Sequence, residues 1–474
     1  MLFKNTIEFS NRCIPLAHFC VIGVGMGVKM NRPFIKLIKC DRSYFFYDVN
    51  ANKIVKISSQ SYDILNGLLS NPTKDYSNKL NDECAQYYKK GFLQSNQIRI
   101  VNRGLRTDEL MHLLNSELHS LLLQVTRDCN LNCKYCFYSG KYDGIRTHEK
   151  EYMNSYLSKK IIDFFFQRTQ PNQVQNVGFY GGEPLLNFEL IYDVVKYIDK
   201  TYTGKKICYS ITTNGLLLSP EVWRFLNDYS FFTTISIDGP QEIHDTNRVF
   251  SDGRGSFDII NKNIKYGFEY YPEYYKSNVR FNTVITKDKH KVERFFRETP
   301  IFQIVTSKLS DINKYHMSSI DIEPYEHSAS DRIEQNGAHK MRMLVNILKS
   351  DKKDYGQYGL RINEILNKLK ETQKYPLTNA VSAGLCMPGV SRLFATVNGD
   401  FYMCEKVNDN SEELKLGNVL SGWNETNIMK LANISNESSE YVCRNCWSIN
   451  LCNMCAAKIS ALGPQRLNQK CNEV

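Results

Sequence analysis

The stretch "CNLNCKYCFY", Cys129 to Tyr138, places three cysteines within eight residues at the spacing C-x3-C-x2-C. Disulfides consume cysteines in pairs, and a structural zinc site takes four ligands. Three thiols on one short loop therefore leave something to be supplied from elsewhere. The run before them, "LLLQVT", is β-rich and ends at the loop itself. That placement favours a fold whose strand ends carry the working groups.

The same design recurs along the chain. "NVGFYGGEP" is a strand ending in glycines; "KICYSITTNG", "FTTISIDGP" and "VRFNTVIT" follow it, with helical stretches between. Strand, loop and helix in repetition over residues 118–300 indicate parallel βα units, an α/β core. Residues 301–380 read as a last barrel strand and a charged helical bridge, including "MRMLVNILKS" and "INEILNKLK". Residues 381–474 are rich in cysteine. Residues 33–110 read as a small α+β unit: "FIKLIKC", "SYFFYDVN" and "NKIVKIS" are three short strands, the last two joined by a turn at Asn50-Ala51-Asn52. Ser59 is the expected N-cap of the helix that follows, with Tyr62, Ile64, Leu65, Leu68 and Leu69 at helical spacing. Such a unit offers a sheet edge to which an extended peptide can add as a strand.

Fifteen cysteines is the unusual count, and seven of them lie after residue 385. A disulfide scaffold is normally a small secreted chain, whereas this one is large with local C-x2-C pairs, which points to a reducing compartment and thiolates held by metal. Cys13, Cys20, Cys40, Cys84 and Cys208 fit no ligand spacing and read as buried free thiols. Lys and Arg exceed Asp and Glu by 60 to 50, a diffuse excess that suits an acidic peptide or an acidic electron carrier. No basic run with interleaved aromatics argues for nucleic acid. The apolar run Cys13–Val28 follows Lys4 and Arg12 as in a signal peptide, but it is short for a membrane span. An early start codon, with Met26 or Met30 as the true beginning, explains it better. Residues 1–32 are left unassigned, and the expectation is a cytoplasmic protein with no membrane segment.

Four irons held by three cysteines keep one iron open to a small chelating molecule, and Tyr135 would shield such a cluster. The competing reading is a zinc site that borrows a distant fourth ligand. Cys129, Cys133 and Cys136 match the signature of the radical S-adenosylmethionine (SAM) enzymes, which this sequence resembles. "GGEP", Gly181, Gly182, Glu183 and Pro184, matches the motif that receives the amino group of the methionine moiety in that family. By the same resemblance Asn214 in "TTNG", together with Ser236 and Asp238 in "SIDG", lies at strand ends lining the ribose. Arg248 stands near the cofactor carboxylate. The implied core is a partial (β/α)6 TIM-like barrel holding a [4Fe-4S] cluster and S-adenosyl-L-methionine.

The C-terminal cysteines resemble the SPASM extension of that superfamily, which holds two auxiliary [4Fe-4S] clusters. The resemblance assigns Cys386, Cys404 and Cys455 to the nearer cluster, with Cys443, Cys446, Cys452 and Cys471 on the outer one. The chain has two residues between Cys452 and Cys455 where the usual pattern has three. The nearer cluster then has an iron open to a substrate thiolate or to another residue. Glu405 follows Cys404 directly, where some members place a carboxylate base; an ordinary surface glutamate is the alternative. The N-terminal unit resembles the winged-helix-like RiPP recognition element that binds leader peptides. The order of units is similar to thioether-forming (sactipeptide, ranthipeptide) maturases. This implies a ribosomally made precursor peptide bound through its leader, and a flavodoxin- or ferredoxin-type electron donor. A carbon–carbon peptide cyclase, an anaerobic sulfatase maturase and a zinc-stapled binding protein are the alternatives.

Overall fold

A computed structural model describes residues 32–40, 42–70, 80–101, 107–140, 146–286, 288–303, 307–311, 379–380 and 387–451. The N-terminal extension, most of the helical bridge, and Cys386, Cys452, Cys455 and Cys471 lie outside the described residues.

Three antiparallel strands begin the chain: β1 (Ile35–Cys40), β2 (Ser43–Asp48) and β3 (Lys53–Ile57), in the order β1-β2-β3. The expected turn joins β2 to β3. Asp48 Oδ1 accepts from the Ala51 amide at 2.9 Å, and Asn52 takes a left-handed φ of 51°. The following helix, Ser59–Ser70, is capped one residue earlier than the sequence suggested. Ser58 is the cap, since its Oγ accepts from the Ser61 amide and its carbonyl from the Tyr62 amide. One face of this sheet packs Ile35, Phe46, Val55 and Ile57 against Leu65, Cys84 and Leu93. The other face packs Ile38, Phe45, Tyr47, Val49 and Ile54 against Trp447, Ile449 and Leu451 from the far end of the chain. Asn450 donates to the Val49 carbonyl at 2.9 Å and Asn96 to the Arg444 carbonyl at 2.7 Å, so this second contact is polar at its rim.

After the short strand β4 (Ile100–Val101), the helix Thr107–Leu114 buries Leu110 and Leu114 in the main core rather than in the N-terminal unit. Six parallel strands then follow in sequence order: β5 (Ser120–Thr126), β6 (Gln175–Gly181), β7 (Ile207–Thr213), β8 (Phe232–Ser236), β9 (Val279–Ile285) and β10 (Ser307–Asp311). Each connection between them runs through one or more helices, as the alternating pattern required. On β5 the side chains of both faces are buried, Leu121, Leu123 and Val125 together with Gln124 and Thr126, which marks it as an interior strand. After the two-residue strand β11 (Asn379–Ala380), β12 (Arg392–Ala395) joins β5 in parallel. The sheet continues antiparallel through β13 (Asp400–Tyr402), β14 (Gly417–Asn418) and β15 (Gly422–Trp423). Residues 392–423, which include Cys404, thus extend the parallel sheet. Among the described residues no helix is long and apolar enough to cross a membrane.

The ends of β5 and β6 cross unusually closely. The Gly182 amide donates to the Thr126 carbonyl at 3.1 Å, and the Glu183 amide to the Asp128 carbonyl at 2.8 Å. A Cβ on Gly182 would stand 2.1 Å from the Asp128 oxygen, which is backbone and cannot move aside cheaply. Gly182→Ala is expected to cost about 1–3 kcal/mol through this overpacking. Thermal unfolding of the metal-free chain measures it, and an unchanged melting temperature would refute the close crossing.

Candidate functional site

The crossing of β5 and β6 places the cysteine loop beside the GGEP turn. Backbone bonds tie the loop to a second segment: the Asn132 amide donates to the Val249 carbonyl at 2.7 Å, and the Lys134 amide to the Asn247 carbonyl at 3.0 Å. A tight turn, Cys136 amide to Cys133 carbonyl at 3.0 Å, sets the last two thiols on one bend. Cys129 and Cys136 keep partial solvent contact, while Cys133 is buried.

Glu183 lies two residues beyond β6 and is wholly buried. Its Oε1 accepts from Thr213 Oγ1 at 2.7 Å and from the Leu185 amide at 3.1 Å; its Oε2 accepts from the Asn214 amide at 2.7 Å. The carboxylate therefore ties the end of β6 to the end of β7 and has room for about one more donor. Burial pushes its carboxyl up to about 7, against the pull of these donors. Pro184 opens the 3-10 turn Pro184–Asn187 that Glu183 caps. Asn214 donates to Asn130 Oδ1 at 2.7 Å, which brings it within 4.0 Å of Cys129 Sγ.

A second cluster lies past β8, where Ser236 is buried as the last residue of the strand. Asp238 Oδ1 accepts from the Val284 amide at 3.0 Å. Its Oδ2 receives the Tyr135 hydroxyl and stands 3.1 Å from Arg248 Nε. The Arg248 guanidinium lies 5.5 Å from the Tyr135 ring centre, and its Nη1 is 4.0 Å from Cys133 Sγ. Cys129, Cys133, Cys136, Tyr135, Glu183, Asn214, Asp238 and Arg248 are thus linked at one end of the parallel strands.

Sequence reasoning missed His148. Its Nε2 is 3.5 Å from Cys136 Sγ, and its Nδ1 is 3.1 Å from the Arg127 carbonyl. A carbonyl can only accept, so Nδ1 carries the proton and Nε2 faces the thiol as an acceptor. It also missed Tyr138, Arg146 and Asp409. Tyr138 donates to the Glu405 carbonyl at 3.0 Å. No spacing rule marks these residues, because their partners are distant in sequence. Glu405 itself pairs with Arg392, Oε2 to Nη2, at 2.6 Å. Cys404, just after β13, is half-buried against the barrel core. Cys443 and Cys446 lie elsewhere, beside the N-terminal sheet: Cys443 packs on its second face, and the Cys446 amide donates to the Cys443 carbonyl at 3.2 Å.

The three loop thiols suit a metal cluster. Burial raises all of them, with repulsion from neighbouring thiols added at Cys129 and Cys133, the latter reaching about 12, so at neutral pH each keeps its proton unless a cation displaces it. Among the described residues no group of three or more His, Cys, Asp or Glu converges on a single ion. A cluster in which each thiolate takes its own iron accommodates such a spread.

With this geometry in hand, the comparisons with known proteins fall into place. Residues 123–295 match the family model of the Radical SAM superfamily. The radical SAM cyclopropyl synthase TigE of Paramaledivibacter caminithermalis is 28% identical over 291 residues, covering 54% of this chain and 57% of that protein. The cysteine-type anaerobic sulfatase-maturating enzyme of Clostridium novyi is 30% identical over 222 residues, covering 44% of this chain and 57% of that one. The chain thus spans little more than half the length of these two curated relatives. A solved structure, native anSMEcpe with bound AdoMet and Cp18Cys peptide, superposes with a TM-score of 0.52 at 21% identity, over 70% of this chain and 87% of that one. This last likeness is one of fold. Residues 123–295 are thus similar to a radical SAM domain, on an α/β fold whose parallel strands bear the cysteine loop.

The arm bearing Asp238 and Arg248 depends on His244, which is wholly buried. Its Nδ1 accepts from the Asp238 amide at 3.3 Å and its Nε2 meets Ser256 Oγ at 3.0 Å. Burial lowers its pKa from 6.5 to about 4, with the charge of Asp238 opposing. The unfolded chain binds the proton first, so this stability is complete above pH 6.5 and is lost as pH falls toward 4. The loss is about 3 kcal/mol at most. His244→Gln is expected to flatten that part of the melting-temperature profile; an unchanged slope between pH 7 and pH 4.5 would contradict it.

Proposed function

We propose that this chain is a radical SAM peptide maturase that installs a crosslink, most simply a thioether to cysteine, in a ribosomally made precursor peptide. The observation that carries the reading is the joining of three thiols, Glu183, Asn214, Asp238 and Arg248 at one end of six parallel strands. Cys129, Cys133 and Cys136 hold a [4Fe-4S] cluster. Gly181, Gly182 and the spare acceptor site of Glu183 receive the amino group of SAM, and Ser236 and Asp238 lie toward its ribose. When bound, the cluster and SAM supply a 5′-deoxyadenosyl radical that removes hydrogen from the peptide. Tyr135 covers the site, and the Asp238–Arg248 pair fixes the loop on which it depends.

Cys386, Cys404 and Cys455, and Cys443, Cys446, Cys452 and Cys471, would hold two auxiliary clusters able to take up the electron released on ring closure, while a flavodoxin- or ferredoxin-type donor would reduce the cluster of Cys129, Cys133 and Cys136. Glu405, held by Arg392, is the candidate base. The N-terminal sheet supports leader binding at its edges: both faces are covered, and among the described residues β1 and β3 each pair only with β2. A leader strand adds beside one of them. Carbon–carbon closure is the second reading, favoured by the likeness to a cyclopropyl synthase.

Iron and sulfide per chain after anaerobic reconstitution test the proposal. About twelve irons are expected, falling to about eight when Cys129, Cys133 and Cys136 are all alanine. Dithionite-driven cleavage of SAM to 5′-deoxyadenosine should vanish in that variant. Zinc without sulfide would leave a metal-stapled binding protein instead.

A further inference from the structure

Residues 146–153 wrap the cysteine loop. Arg146 covers Tyr138, and His148 reaches Cys136. Glu149 and Glu151 both pair with Arg127, and Tyr152 donates to Asp128 at 2.5 Å. Most of these contacts stay within the loop and the strand before it. Arg146 alone among them also grips the C-terminal region: its Nε is ion-paired to Asp409 Oδ2, with the two side chains 1% and 2% exposed. Its guanidinium lies flat on Tyr138, 3.6 Å from the ring centre. Tyr138, two residues beyond Cys136, donates to the Glu405 carbonyl, one residue beyond Cys404. The Asp409 carbonyl is held in turn by the Tyr402 hydroxyl of β13 at 2.8 Å.

This pair is poorly built for stability. Among the described residues Arg146 Nη1 and Nη2 and Asp409 Oδ1 have no hydrogen-bond partner, although all three are buried. A buried ion pair with unsatisfied atoms does not repay its desolvation well, and its value lies in fixing one arrangement. What it fixes is the approach of two segments over 260 residues apart, one bearing Cys136 and the other Cys404 and Glu405.

We propose that Arg146 and Asp409, closed over Tyr138, form a clasp through which the Cys404–Asp409 segment positions the cofactor-binding cysteine loop. Arg146 is a positioning residue and touches no reacting atom. The proposal rests on the radical SAM reading. It adds that the C-terminal region shapes the first cluster site before any peptide arrives. The planar guanidinium is essential to it, since lysine keeps the charge but cannot lie flat on the ring.

The full chain, reconstituted anaerobically, tests this with Arg146→Gln, Asp409→Asn, their double variant and Arg146→Lys. The readouts are the EPR line shape of the dithionite-reduced cluster and the dissociation constant of SAM, with iron content and melting temperature as controls. Arg146→Gln and Asp409→Asn are expected to broaden the signal and weaken SAM binding by the same factor. The double variant should match either single one, because each opens the same clasp; Arg146→Lys should fall between. Cluster-loaded variants with the wild-type line shape and SAM affinity would overturn the clasp. So would a double variant whose losses are the sum of the singles, or losses confined to melting temperature. A wild-type chain with no sulfide and no affinity for SAM would instead overturn the radical SAM reading itself.

Discussion

Two strands of a parallel sheet normally leave room for side chains between their ends, but β5 and β6 do not. Where they finish, backbone meets backbone: the amides of Gly182 and Glu183 donate to the carbonyls of Thr126 and Asp128, with no space for a Cβ. Everything at the site depends on that crossing. It sets the start of the cysteine loop directly against the GGEP turn. It buries Glu183 where it can tie β6 to β7, which in turn brings Asn214 toward Cys129. The loop after β8 completes the arrangement from the opposite side, through Asp238, Arg248 and Tyr135.

Much of this was legible in the sequence, for physical reasons. Parallel strands buried on both faces read as short apolar runs, and each of "LLLQVT", "NVGFYGG", "CYSITT" and "FTTIS" became a strand. The cysteine spacing is local, so the loop and its strand could be read together. The capping serine was misplaced by one residue, because the cap is decided by where β3 stops and not by helical period. The role of Glu183 in holding the fold was not visible either, since Thr213 and Asn214 come to it only through pairing of β6 with β7. Arg146, His148 and Asp409 left no trace in the sequence. A polar residue after a loop has no period, and the partner of Arg146 is 263 positions away.

The structure also joins units that the sequence set apart. The sheet of the barrel runs on through β12 into the cysteine-rich region, so that region shares the barrel's hydrogen-bond ladder. Tyr138 and Arg146 add side-chain contacts along the same seam. The helix Thr107–Leu114, which the boundary drawn at residue 110 cuts, contributes Leu110 and Leu114 to the main core. Boundaries drawn from composition follow the chain, whereas burial follows the contacts.

The second face of the N-terminal sheet has a consequence for how the molecule is made. Ile38, Phe45, Tyr47, Val49 and Ile54 are sealed by Trp447, Ile449 and Leu451, and Asn450 bonds to a carbonyl 401 residues behind it. During synthesis the three strands emerge well before their cover, which follows them by 401 residues at the Asn450–Val49 contact. Until then the nascent sheet carries an uncovered apolar face, a hazard for self-association that a chaperone would have to screen. The final closure is a contact of very long range, slow by the entropy of bringing two distant chain segments together. The N-terminal sheet therefore reaches its finished form only after residues 447–451 have been translated.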